Sequence, residues 1–185
     1  MTQVVSEYNG IISNEKFDTN KADFAKKIII GLQNDAYNFI NSGHGPFVAA
    51  IYDENGNLIA KSCNSVVNDK CSNNHAEINV IKEAEIKFGT YDLSPYNLSI
   101  YVTSEPCMMC LGAILWSGIK SVYYGVASCD VEKITGYDEG FKLNWFDEFA
   151  KRGICVYGNI EEDIGKNVLL KYVSDGNVIY KPLRK

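Results

Sequence analysis

The chain has 185 residues, 46% of them hydrophobic and 22% charged, the balance of an ordinary soluble globule with enough length for a proper core. No apolar run approaches a membrane span, residues 1–20 lack the apolar core of a secretion signal, and the six unevenly spaced cysteines read as reduced thiols, which together give a cytoplasmic, non-membrane protein without a disulfide framework. A net charge of −5, with no basic block before the last few residues, argues against a nucleic-acid partner without excluding a local basic groove.

Residues 1–20 read as an N-terminal extension, flexible or loosely docked, and residues 21–185 as a single domain. Over residues 21–41, Phe24, Ile28, Leu32, Ala36 and Ile40 recur every four positions, one face of an amphipathic helix that Gly43 then stops. Residues 47–52 and 58–63 read as two strands joined by a hairpin turn at Asn55-Gly56, a pair that tolerates positive φ. A polar loop leads to a helix over 75–88, capped by Asn73 or Asn74, with Ile78, Ile81, Ala84 and Phe88 facing inward. Residues 98–103 are a strand, 107–116 a short apolar helix opened by Pro106, and 120–125 another strand. A helix over 141–151, a strand over 154–157 and a helix over 160–172 follow, the last with Ile164, Val168 and Tyr172 inward. Residues 177–185 read as a short strand or a tail. Strands joined by helical crossovers run parallel, so the expected fold is α/β, a three-layer α/β/α sandwich with a five-stranded mixed sheet. Ligands in such folds sit beyond the strand ends, near helix N-termini.

Two short runs fall at such helix ends: His75-Ala76-Glu77 and Pro106-Cys107-Met108-Met109-Cys110. Cys107 and Cys110 share one helical turn, so their sulfurs can meet one metal, and the helix N-terminus favours thiolates. His75 can add a third ligand. Three protein ligands plus one open position is the arrangement of catalytic zinc, in which the bound water has a pKa near about 7. Glu77, two residues beyond His75, is a carboxylate placed to move that water's protons. A Cys-x-x-Cys pair alone also fits a thiol-redox motif, and a closed structural zinc site is open to His44, Cys63 or Cys71 as fourth ligand. A redox pair has no need of His75 and Glu77 about thirty residues upstream, and a closed site needs that fourth ligand. The remaining cysteines read as small apolar residues or exposed thiols, His44 as a loop histidine beside the pocket or on the surface, and Leu115 and Trp116 as core or subunit contact.

The combined pattern, His-x-Glu followed by Pro-Cys-x-x-Cys, is the signature of zinc-dependent nucleobase deaminases. With Thr103-Ser-Glu-Pro-Cys-Met-Met-Cys110 and Leu111-Gly-Ala-Ile-Leu-Trp116, the chain resembles the cytidine deaminase-like superfamily over roughly residues 21–173, and within it looks most like the bacterial guanine deaminases. Gly45-Pro46-Phe47, Asn64 after the second strand, the helix after the zinc cysteines and the acidic run Gly136-Tyr137-Asp138-Glu139-Gly140-Phe141 carry that second likeness. The resemblance implies one zinc per chain on His75, Cys107 and Cys110, with Glu77 as the proton carrier. It implies contacts to the base from Asn64, Phe47, the backbone near Ala76 and Glu105, and Glu139 ahead of Asp138. The implied reaction turns guanine into xanthine and ammonia, in a homodimer. Deamination of cytosine, of a nucleoside, or of adenosine in a tRNA uses the same machinery and remains open, as does a non-enzymatic zinc or redox module. Tyr180 is a tail residue that either reaches a pocket or packs on the surface.

Overall fold

The computed structural model describes residues 6–141 and 144–181. Two short N-terminal strands, β1 (Ser6–Tyr8) and β2 (Ile11–Ser13), precede the first helix, α1 (Thr19–Ile40). The hairpin β3 (Val48–Tyr52) and β4 (Leu58–Cys63) follows, then the single turn α2 (Val66–Asp69) and α3 (Ala76–Phe88). The second half runs β5 (Ser99–Ser104), α4 (Met108–Ser117), β6 (Ser121–Val126), α5 (Ser128–Thr135), α6 (Trp145–Ala150), β7 (Cys155–Gly158) and α7 (Glu162–Ser174).

The seven strands among the described residues form one mixed sheet in the order β1-β2-β7-β6-β5-β3-β4. The β5–β6 and β6–β7 pairs are parallel and the others antiparallel. Strand alternation divides the core. Ala50, Tyr101, Tyr123 and Tyr157 face α1, α5 and α7, whereas Ile51, Ile100, Val122, Tyr124 and Val156 face α3, α4 and α6. The sheet is therefore covered on both sides, as the α/β/α reading requires. On the α1 side the neighbouring strands stack Tyr101 on Tyr123 at 4.6 Å and Tyr123 on Tyr157 at 5.3 Å.

The count of strands corrects the sequence reading from five to seven. Both extra strands come from the extension expected to be loose. Each is three residues long, too short for an alternation to register, and long-range pairing holds them instead. Ile12 pairs with Gly158 and Ser13 with Tyr157. Asn14 then fixes the junction. Its Nδ2 donates to the carbonyls of Phe146 (3.1 Å) and Ile154 (3.0 Å), and its Oδ1 accepts from the Val156 amide at 2.8 Å. A buried amide with its hydrogen bonds made is as specific as any apolar contact.

Other boundaries differ for local reasons. The first helix starts two residues early because Asp18 caps it, accepting from the amides of Asn20 (2.9 Å) and Lys21 (3.3 Å). Its first expected core residue, Phe24, is 39% exposed, while Ile28, Leu32, Ala36 and Ile40 are buried. The cap position of α3 is His75, not Asn73 or Asn74, and no side chain caps that end. The inward face of α3 is Val80, Ile81 and Ala84, with Ile78 and Phe88 half-buried. The helix expected over 141–151 begins at Trp145; residues 142 and 143 lie outside the described residues. α5 had no sequence expectation. In the last helix Val168 and Tyr172 are buried as expected, and Ile164 is half-buried. Residues 177–181 form neither strand nor helix, and 182–185 lie outside the described residues. Among the described residues no helix is long and apolar enough to cross a membrane.

Candidate active site

The site lies beyond the end of β5, where two helices start side by side. β5 is pinned there from the opposite layer. Gln33 of α1, 1% exposed, donates to the Thr103 carbonyl at 2.8 Å. Gly125 of β6 leaves room for that bond, since a Cβ would stand 2.4 Å from the Thr103 oxygen and 2.9 Å from Gln33 Nε2. The chain then leaves the sheet through Glu105 and Pro106. The Glu105 carboxylate accepts from Trp145 Nε1 at 3.0 Å and from the Ser128 amide at 2.9 Å, which fixes the turn that presents Cys107.

His75 and Cys107 occupy the cap positions of α3 and α4, and Cys110 sits in the first turn of α4. His75 Nδ1 is 3.6 Å from Cys107 Sγ and 3.6 Å from Cys110 Sγ, and the two sulfurs are 3.6 Å apart. A tetrahedral zinc with Zn–S of about 2.3 Å and Zn–N of about 2.05 Å sets ligand edges of about 3.7 Å between sulfurs and about 3.6 Å between sulfur and nitrogen. The three atoms thus form one face of a zinc-sized tetrahedron. Neither His44, Cys63 nor Cys71 joins the group, so the fourth corner has no protein ligand among the described residues. A closed structural site is not what these residues build.

Electrostatics agree with metal binding. A hydrogen bond from Cys110, together with the neighbouring His75, pulls the Cys107 thiol down to about 4 despite its burial. The partner Cys110 is pushed well up by that same hydrogen bond and by burial. Two thiols sharing one proton this closely favour a cation that replaces it. His75 is raised on balance, with burial opposing and its contact with Cys107 supporting the shift. Glu77, in the first turn of α3 and 6% exposed, has its carboxyl raised first by burial and then by the Cys107 charge.

These groups open into a cavity of about 360 Å³, within the size range of small-molecule sites. His75, Glu77, Cys107, Phe47, Asn64, Glu105, Asp138 and Glu139 all line it. Phe47 is half-buried and its ring lies 5.7 Å from that of Tyr137. Asn64, 1% exposed, accepts the Val66 amide on Oδ1 at 3.2 Å, which turns its Nδ2 away from Val66. Glu139 is half-buried and its charge reaches His75 and Tyr180, whereas Asp138 is exposed and accepts from the Gly140 amide at 2.9 Å. Ala76 is wholly buried behind this wall and does not line the cavity. His44 also stays outside it, 3.3 Å from the Asn64 carbonyl.

Among the further lining residues, Tyr137 and Tyr180 had no firm sequence signal. Tyr137 follows Gly136, the stop of the unforeseen helix α5. Tyr180 comes from the tail and sits inside the site, not on the surface: its hydroxyl is 3.0 Å from Asn64 Nδ2 and 3.3 Å from His75 Nε2.

Residues 20–126 match the family described as the cytidine and deoxycytidylate deaminase zinc-binding region. The chain belongs to this family. As a member of the cytidine and deoxycytidylate deaminase family it is a zinc-dependent hydrolytic deaminase of the nucleobase and nucleoside class. It is 33% identical over 112 residues to the guanine deaminase of Bacillus subtilis, covering 60% of this chain and 70% of that protein. It is also 33% identical over 120 residues to the tRNA-specific adenosine deaminase of the same organism, covering 64% and 70%. Among solved structures, NE0047 in complex with 2,6-diaminopurine matches with a TM-score of 0.79 at 35% identity over 85% of each chain. The guanine deaminase from Nitrosomonas europaea matches with a TM-score of 0.77 at 34% identity, over 80% of this chain and 84% of that one.

Proposed function

We propose that the chain hydrolyses guanine to xanthine and ammonia, with His75, Cys107 and Cys110 holding the zinc and Glu77 carrying protons. The observation that supports this most is the shared cavity: the open corner of the ligand triangle and the buried Glu77 face one small-molecule-sized space. Zinc, when bound, would supply the nucleophile as a water whose pKa is lowered to about 7. Glu77 would accept one proton from that water and pass it to the ring nitrogen beside the amino-bearing carbon, then take the remaining hydroxyl proton and hand it to the amino group, which departs as ammonia. A carboxyl raised by burial suits this shuttle, because its two protonation states lie closer in energy near neutral pH. Asn64 and the carboxylate of Glu139, with Asp138 nearer the mouth, orient the base, and Phe47 offers it an apolar face. A purine base carries ring N–H donors that such carboxylates accept. Glu105 completes the wall.

The acidic wall also favours a small base over a phosphate-bearing substrate. Purified protein with one zinc per chain is expected to release ammonia stoichiometrically with xanthine from guanine. No release from guanine, with release from cytosine, a nucleoside or a tRNA, overturns the substrate while leaving the chemistry in place.

We infer further that two copies associate through the outer faces of α3 and α4. Tyr91 and Trp116, each 87% exposed, line one groove with Ile78 and Ala113, an aromatic pair of the kind that anchors interfaces. Trp116 is therefore not a core residue. Sedimentation is expected to give the mass of two chains, and Trp116→Glu that of one; a monomeric wild type overturns the dimer. Reduced sulfur ligands support a reducing compartment, the cytoplasm.

A further inference from the structure

The outer nitrogen of a metal-binding histidine usually donates to a carboxylate, a backbone carbonyl or a water, and that partner fixes the ring. In this chain His75 directs Nδ1 at both sulfurs, so its neutral form carries the proton on Nε2. The group facing Nε2 is the hydroxyl of Tyr180, 3.3 Å away and 105 residues further along the chain. The same oxygen accepts from Asn64 Nδ2 at 3.0 Å. The Asn64 amide cannot flip without losing its bond to the Val66 amide, so Nδ2 is the donor by necessity. One phenol oxygen therefore uses both lone pairs, one on a metal ligand and one on a residue of the base pocket.

The tail is built to hold it there. The Val178 carbonyl accepts from the hydroxyls of Tyr172 (2.6 Å) and Tyr137 (3.2 Å), and Asn177 Nδ2 donates to the Tyr172 carbonyl at 3.1 Å. The Tyr180 ring lies edge-on to Tyr137 at 5.2 Å.

We propose that Tyr180 is a positioning residue of the metal centre, its phenol oxygen fixing the Nε2–H tautomer and ring orientation of His75 while it orients Asn64. The proposal rests on the reading of His75 as a zinc ligand and on nothing about the substrate. Its test is zinc affinity, measured on the intact protein by competition with a chromophoric chelator. Tyr180→Phe keeps the ring packing and removes the oxygen, and zinc affinity is expected to fall about 10–100-fold. The visible spectrum of the cobalt-substituted variant is expected to shift relative to wild type. Tyr172→Phe loosens the same tail but leaves the Tyr180 oxygen in place, and zinc affinity is expected to stay within twofold of wild type. Unchanged affinity in Tyr180→Phe overturns the proposal. Equal losses in both variants overturn it too, because docking of the tail would then carry the effect. Failure of guanine as substrate moves neither result.

Discussion

Glu77→Gln loses turnover by about ten-thousandfold, the upper range for removal of a general acid–base group, and keeps one zinc per chain. The substitution preserves shape and leaves the three ligands untouched, so metal content and fold are expected to survive. Thermal stability should not fall. The native carboxyl is buried and raised, chiefly by the loss of its hydration, so a neutral amide in its place relieves a buried charge. Ammonia release, zinc content and thermal midpoint are read on one preparation. Activity within tenfold of wild type would remove Glu77 from the chemistry. Loss of zinc alongside loss of activity would show that the carboxylate supports the metal instead.

Cys107→Ser weakens the hold of the site on zinc. If each of the three ligands carries about a third of a binding free energy of order 12 kcal/mol, losing one weakens zinc by about 4 kcal/mol, or roughly a thousandfold. Metal bound only by the folded state stabilises it by mass action. With free zinc above both dissociation constants, that loss lowers the thermal midpoint by about 8–16 °C for a chain of this size. Chelator-treated wild type should melt no higher than the variant, and zinc should restore the wild type far more than the variant. A variant retaining one zinc at wild-type affinity would falsify the ligand assignment.

The centre was legible because its chemistry is local. His75 with Glu77, and Cys107 with Cys110, sit within single helical turns, so sequence spacing is nearly spatial distance. The long periodic helix α1 and the Asn-Gly hairpin were legible for the same reason. What escaped depends on partners far along the chain. β1 and β2 gain their identity from β7, and Asn14 reads as an ordinary loop residue until the carbonyls of Phe146 and Ile154 are placed beside it. Tyr180 is similarly silent, since nothing near it in sequence announces His75 or Asn64. The cap of α3 was misassigned for a different reason. Asn is the better capping residue in isolation, but the ligand geometry claims that position for His75.

The pairing of β2 with β7 has a consequence for how the molecule is made. Asn14 and the Val156 amide that it receives are 142 residues apart, so during synthesis the first strands emerge with no place in the sheet and wait for β7. Ile11 and Ile12 then form an unpaired apolar edge for several seconds at ordinary elongation rates. Closure of β2 on β7 is a late step of assembly, and the segment that carries Tyr180 reaches the site after it. A metal site that includes Tyr180 thus matures only after β7 is made, and a nascent chain stalled before β7 should expose its N-terminal segment to protease while α1 and the β3–β4 hairpin are already formed.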